Sequence, residues 1–126
     1  LCKLTIFVEI YSTMISIYHN PKCSKSREGL SVLENSGKDF KKILYLEEKL
    51  TKKELAAILK KLNIPPIDLV RKKKSIWKEN YNDRNFSDQE IIKIMVENPK
   101  LIERPIVVNN DSAVVGRPTS KITEII

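Results

Sequence analysis

Two rhythms of apolar and polar residues alternate along this chain. Met14 to Tyr18 is short and β-rich and ends at Asn20-Pro21, which predicts a strand closed by a turn. From Ser24 to Asn35 the spacing predicts a helix with Leu30 and Leu33 on one face and Ser36-Gly37 as its stop. Phe40 to Tyr45 reads as a second strand. Thr51-Lys52-Lys53-Glu54 is a capping box, and behind it Leu55, Ile58, Leu59 and Leu62 recur at helical spacing until Pro65-Pro66. Ile67 to Tyr81 reads as one or two short helical pieces, with Ile76 and Trp77 as core contributors. A second capping box, Ser87-Asp88-Gln89-Glu90, opens a helix through Val96 that stops before Pro99. Pro105 to Val108, a turn at Asn109-Asn110-Asp111, and Ala113 to Val115 predict a β-hairpin. A last helix is expected from Pro118, placed at a first helical position. The order is β-α-β-α-α-α-β-β-α, an α/β pattern with no internal repeat.

The first thirteen residues stand apart from this rhythm. Leu4-Thr5-Ile6-Phe7-Val8 is apolar, but Glu9 interrupts it. The segment lacks the longer apolar core and small-residue cleavage site of a signal peptide. Residues 1–13 are therefore expected to be an N-terminal extension outside the core, with an added edge strand as the alternative. Residues 14–126 are expected to form the domain.

Composition supports one soluble domain, since 41% of the 126 residues are hydrophobic and 31% are charged. The longest aliphatic runs, such as Ile106-Val107-Val108, fall far short of the ~18 residues of a membrane span. Charge changes the picture more. There are 23 basic and 16 acidic residues, a net of +7. Between Lys38 and Lys78 stand 13 Lys and Arg against 5 Asp and Glu, so the positive excess sits mid-chain. Such a field attracts anions. Nucleic acid is not the expected partner, because aromatic interleaving and the known motifs are absent. The two cysteines, Cys2 and Cys23, have no zinc-ligand spacing, and no metal is expected. A reducing, cytoplasmic setting follows as the default.

The chemistry concentrates between the first strand and the first helix, in His19-Asn20-Pro21-Lys22-Cys23-Ser24-Lys25-Ser26-Arg27. Cys23 falls at a helix N-terminus, where free N–H groups and the macrodipole favour an anion. Lys22, Lys25 and Arg27 add positive charge, and Glu28 is the first acid after them. Each feature should favour the thiolate, and the same donors would hold an incoming oxyanion beside the sulfur. A lone cysteine is more often a small buried hydrophobe; its place in this loop argues for chemistry instead. The motif is C-x-x-S, so no disulfide forms within it and an external thiol must resolve any adduct on Cys23.

These residues carry a resemblance. The His19–Arg27 loop, Leu69-Val70-Arg71, Ile102-Glu103-Arg104-Pro105-Ile106-Val107-Val108 and Gly116-Arg117-Pro118 together resemble the arsenate reductase (ArsC) family of the glutaredoxin-coupled type. The likeness runs from Met14 to Ile126. It implies a thioredoxin-like mixed sheet with an inserted helical segment, roughly Leu50 to Pro99. It implies that Cys23 attacks arsenate and that Arg71, Arg104 and Arg117 bind the oxyanion and its adducts. Pro105 matches the cis-proline that thioredoxin-like folds place beside the active cysteine. His19 matches a family histidine, and the residues leave open whether it tunes Cys23 or holds the loop. His19, Ser26, Arg27 and Pro105 are thus the expected supporting residues.

The implied reaction needs no bound cofactor. Glutathione is expected as co-substrate and glutaredoxin as the protein partner, with arsenate as the substrate. The physical fit is good, because guanidinium forks match the oxygens of a tetrahedral dianion better than ammonium groups do. Arg104 precedes a proline, which biases its backbone to extended geometry. Two alternatives belong to other classes. One is a regulator resembling Spx that binds RNA polymerase, although Ser26 replaces the second cysteine of the usual Spx redox switch. The other is a thiol oxidoreductase with an unidentified substrate.

Overall fold

Ile15 and Ile17 alternate with Ser16 and Tyr18, and that period of two builds strand β1, Ile15–Tyr18, with both isoleucines buried. The computed structural model describes residues 15–82 and 84–126. The expected extension, residues 1–13 with Cys2, lies outside the described residues, as does Met14.

Strand β2, Phe40–Ile43, pairs parallel to β1. A parallel pair needs a crossover, and helix α1, Ser24–Ser36, supplies it. Gly37 ends α1 at φ 73°, in the left-handed region where glycine has no Cβ penalty. Strand β3, Ile106–Asn109, runs antiparallel to β1 and continues into β4, Ser112–Val115. Asn109 pairs with Ser112, so the hairpin turn is Asn110-Asp111, with Asn110 at φ 56°. The sheet is mixed, in the order β2-β1-β3-β4. Ile15, Ile17, Leu33, Val107 and Ile122 form its core, with Leu30 and Phe40 packed against them. Burial of each such aliphatic side chain contributes about 1.5–3 kcal/mol.

The described residues divide into two units. The first is this sheet with its helices, residues up to Leu44 together with Arg104–Ile126; the second is Tyr45–Glu103. Within the second, α2, Lys52–Leu62, opens on the Thr51–Glu54 capping box and ends at Asn63 in the left-handed region. A 3-10 turn, Pro66–Leu69, leads to α3, Ser75–Asn80. The Ser87–Glu90 capping box opens α4, Asp88–Glu97, and a second 3-10 turn follows at Pro99–Leu101. Leu55, Ile58 and Leu59 of α2 and Ile91, Ile92, Ile94 and Met95 of α4 are buried, and the two helices pack together. Val70 and Ile102 form an isolated antiparallel bridge.

Four details depart from the sequence expectation. Strand β2 stops at Ile43, and Tyr45 instead is a buried residue of the second unit. Ile76 is only half-buried; Trp77 turns inward from α3, and its ring lies 5.6 Å from that of Tyr81 and 6.2 Å from that of Phe86. The inserted unit begins before Leu50, with the buried Tyr45 already in it, and ends after Pro99, where the Val70–Ile102 bridge and the Glu103 N–H to Leu69 carbonyl bond hold its last residues to its middle. Pro118 does not start the last helix. Residues 116–119 are spent turning the chain out of β4, with the Arg117 N–H bonded to the Val115 carbonyl, and α5 spans Ser120–Thr123.

Candidate active site

The loop after β1 is built by short-range hydrogen bonds. Asn20 accepts the Cys23 N–H on its carbonyl at 3.0 Å and the Lys22 N–H on its side-chain oxygen at 3.1 Å. Arg27 donates from Nη1 to the Pro21 carbonyl at 2.9 Å. The first bond of the helix runs from the Arg27 N–H to the Cys23 carbonyl, which makes Cys23 the N-cap of α1. No acidic residue occupies the first turn, so the positive end of the helix is left for the sulfur.

Cys23 is half-buried and forms no disulfide among the described residues. Burial pushes its thiol up, but the opposing groups win and the pKa falls below the ordinary 9.0. Those groups are the Ser26 N–H, the Arg104 guanidinium by hydrogen bond and by charge, and the Lys25 N–H. Arg117 adds a longer contact, 3.7 Å from Nη2 to Sγ. A thiolate placed here would stand where a capping oxygen usually stands, among donors that are already oriented.

Arg104 is 8% exposed, and its Nε has no hydrogen-bond partner among the described residues. An unpaired, buried guanidinium donor is costly unless something else meets it. Arg117 reaches the same place from the end of β4, donating from Nε to the Arg104 carbonyl at 2.7 Å. The two arginines are thus tied to one another through backbone as well as aimed at one sulfur. The peptide between Arg104 and Pro105 is cis, and the Pro105 carbonyl accepts the Gly116 N–H at 2.8 Å.

His19 and Ser26 form the floor of the loop. His19 is 3% exposed, and its Nδ1 lies 2.7 Å from Ser26 Oγ, which also accepts the Asn20 N–H at 2.9 Å. Burial, followed by the charges of Lys42 and Arg27, lowers the His19 pKa below 6.5, so the ring is neutral near neutral pH. Ser26 therefore serves twice. Its hydroxyl fixes the loop to His19 and Asn20, and its N–H favours the Cys23 thiolate.

Of the residues expected from the sequence, Cys23, His19, Ser26, Arg27, Arg104, Pro105 and Arg117 all belong to the first unit. Arg71 belongs to the second, where its N–H bonds the Leu101 carbonyl at 2.7 Å and its Nε lies 3.6 Å from Glu103 Oε1. The loop lysines act differently from the expectation. The Lys25 ammonium is exposed and pairs with Glu28 at 3.3 Å, so this residue serves the sulfur through its backbone N–H. The Arg27 guanidinium braces Pro21. No cluster of His, Cys, Asp and Glu among the described residues is placed to hold a metal ion. The tie from Arg117 to the Arg104 carbonyl had no signal in the sequence, because it depends on the β3–β4 hairpin bringing residues 104 and 117 level.

Comparison with known proteins gives concordant matches. An uncharacterised protein of Escherichia coli K12, YfgD, is 44% identical over 114 residues, 89% of this chain and 96% of its own length. An arsenate reductase of Haemophilus influenzae is 43% identical over 114 residues, 89% of this chain and 98% of its own length. The solved structure of an arsenate reductase from Vibrio cholerae superimposes with a TM-score of 0.86 at 44% identity, covering 90% of this chain and 98% of that one. The family model for the ArsC family matches residues 18–125. With a mixed sheet of that architecture and a match across nearly its whole length, this chain belongs to the ArsC family.

Proposed function

We propose that this chain reduces arsenate to arsenite through Cys23. The observation that carries the reading is the Cys23 sulfur at the start of α1, faced by the guanidinium groups of Arg104 and Arg117 and by two helix N–H groups. The arsenate reductases of Haemophilus influenzae and Vibrio cholerae, similar to this chain over most of its length, add support. Arsenate is a tetrahedral dianion near neutral pH, which a bare thiolate would repel. Fixed guanidinium groups answer both needs, since they favour the ionised sulfur and neutralise the incoming charge.

The Cys23 sulfur forms a bond to arsenic, an arsenic–oxygen bond breaks, and the oxygen leaves as water after taking up protons. Arg104 and Arg117 hold the remaining oxygens of the adduct, and Arg71 is assigned the third contact on the family resemblance. The C-x-x-S motif brings no second thiol beside Cys23, and on this reading the resolving thiol comes from outside. Glutathione adds to the arsenic as a second oxygen leaves as water, and glutaredoxin then attacks the glutathione sulfur and departs with it as a mixed disulfide. These two thiols together surrender two electrons, arsenic(V) becomes arsenic(III), and water cleaves the remaining Cys23–arsenic bond, which frees arsenite and the Cys23 thiol. Reduced glutathione places this chemistry in the cytoplasm. No helix among the described residues is long and apolar enough to cross a membrane.

The test is arsenate-dependent oxidation of NADPH in the presence of glutathione, glutaredoxin and glutathione reductase. The wild-type chain should turn over and Cys23→Ser should not, because serine stays protonated and forms no redox-active bond to arsenic. Equal rates for the two would reject the assignment.

A further inference from the structure

Helix α1 carries a glycine in its second turn, where alanine would ordinarily be better by about 1 kcal/mol. Gly29 lies on the buried face with Ser26 and Leu33. A Cβ there would stand 2.8 Å from Pro105 Cγ and 3.1 Å from Ile122 Cδ1. Gly116 meets the same pair, since its Cβ would stand 2.9 Å from Ile122 Cδ1 and 3.0 Å from Pro105 Cγ. Ile122 meets such a Cβ with a terminal methyl, although the side chain is fully buried. The Pro105 ring can yield at Cγ only by a change of pucker, because the ring closes on the backbone, and any larger displacement moves the Arg104–Pro105 peptide. That peptide is held by two further bonds, from the Gly116 N–H to the Pro105 carbonyl and from Arg117 Nε to the Arg104 carbonyl.

We propose that Gly29 and Gly116 are positioning residues for the Cys23 reaction: their bare Cα atoms seat the Pro105 ring and thereby set where the Arg104 guanidinium stands against the Cys23 sulfur. The inference rests on the reading of Cys23 as the nucleophile. A purely structural role for these glycines makes a different claim, namely that alanine costs stability and leaves the sulfur unchanged.

Iodoacetamide alkylation of Cys23 across pH separates the two, in the full chain carrying Cys2→Ser. Gly29→Ala should raise the midpoint and slow alkylation at pH 6.5 by roughly threefold or more, half a logarithmic unit or greater. Gly37→Ala is the control, because Gly37 sits at φ +73° and a Cβ there would meet nothing within 4 Å, so alanine strains the backbone away from Pro105. It should lower the melting temperature and leave the midpoint in place. If Gly29→Ala does not fold, Gly116→Ala with Ile122→Val replaces it, read against Ile122→Val alone. The proposal is overturned if the folded glycine variants titrate like wild type, if Gly37→Ala moves the midpoint as far, or if both alanine variants fail to fold. A wild-type midpoint in the ordinary thiol range would instead reject the nucleophile itself, so the two failures are distinguishable.

Discussion

Lysine and arginine bring the same charge to the Cys23 sulfur, but only arginine presents a planar fork that can grip two oxygens of one oxyanion. Arg104→Lys and Arg117→Lys should each lower arsenate turnover by roughly 10- to 150-fold, the loss of a charge-assisted hydrogen bond of about 1.5–3 kcal/mol. Arg117→Lys also gives up the Nε bond to the Arg104 carbonyl, so it should disturb both guanidinium groups. Lys72→Ala, on an exposed stretch, should change the rate little. Small and equal effects from all three, measured in the coupled NADPH assay, would mean that bulk charge rather than geometry matters. Ser26 offers a second residue-level test. Its hydroxyl is fully buried between His19 Nδ1 and the Asn20 N–H, so Ser26→Ala leaves the buried His19 nitrogen and the half-buried Asn20 N–H without their partner. A stability loss of about 1–3 kcal/mol is expected in urea denaturation. A loss of only a few tenths would show that the hydroxyl is dispensable to the loop.

Among the elements, the two capping boxes are the plainest case of sequence becoming structure. Thr51 and Glu54 satisfy each other's amide at 3.1 Å in both directions, and Ser87 and Glu90 do so at 2.9 and 3.2 Å. Thr51→Ala and Ser87→Ala should each cost about 0.5–2 kcal/mol by urea denaturation, with the site chemistry intact. Helix starts were legible because a cap is a local pattern, and Cys23 was legible as a helix-end thiol for the same reason. Helix α1 shows where local pattern gives out. Its buried face is Ser26, Gly29 and Leu33, and neither serine nor glycine announces burial by hydrophobicity. Ile76 and Trp77 failed the other way, since on this six-residue helix Trp77 takes the buried position among Tyr81 and Phe86 and Ile76 is left half-buried. The arginines entered through the family resemblance and not through any local pattern, and the bond from Arg117 to Arg104 and the orphan Nε of Arg104 depend on hairpin register and side-chain direction. The end of β2 at Ile43 depends on where β1 stops offering partners, which no local signal encodes.

For the molecule as a whole, the excess of positive charge, +7, favours anions in general, while the site around Cys23 selects among them by geometry. Global stability should carry the signature of that site as well. His19 titrates below 6.5 in the folded chain, so on acidification the unfolded chain binds the proton first. The stability it contributes is complete above 6.5 and is lost as the pH falls toward the lowered folded value. The thiol of Cys23 is shifted down too, with its contribution complete above 9.0 and lost as the pH falls through its folded value. In a Cys23→Ser background, His19→Asn should therefore flatten the fall in melting temperature as the pH drops below 6.5, relative to the same background with histidine. Parallel curves would mean that the ring is not held neutral. The most direct test of the whole scheme is the alkylation of Cys23 in a full chain carrying Cys2→Ser, followed across pH with and without arsenate. A midpoint clearly below the ~8.5 of a free thiol, with alkylation slowed saturably by arsenate, is the predicted result. A midpoint at the ordinary thiol value and rates indifferent to arsenate would contradict it.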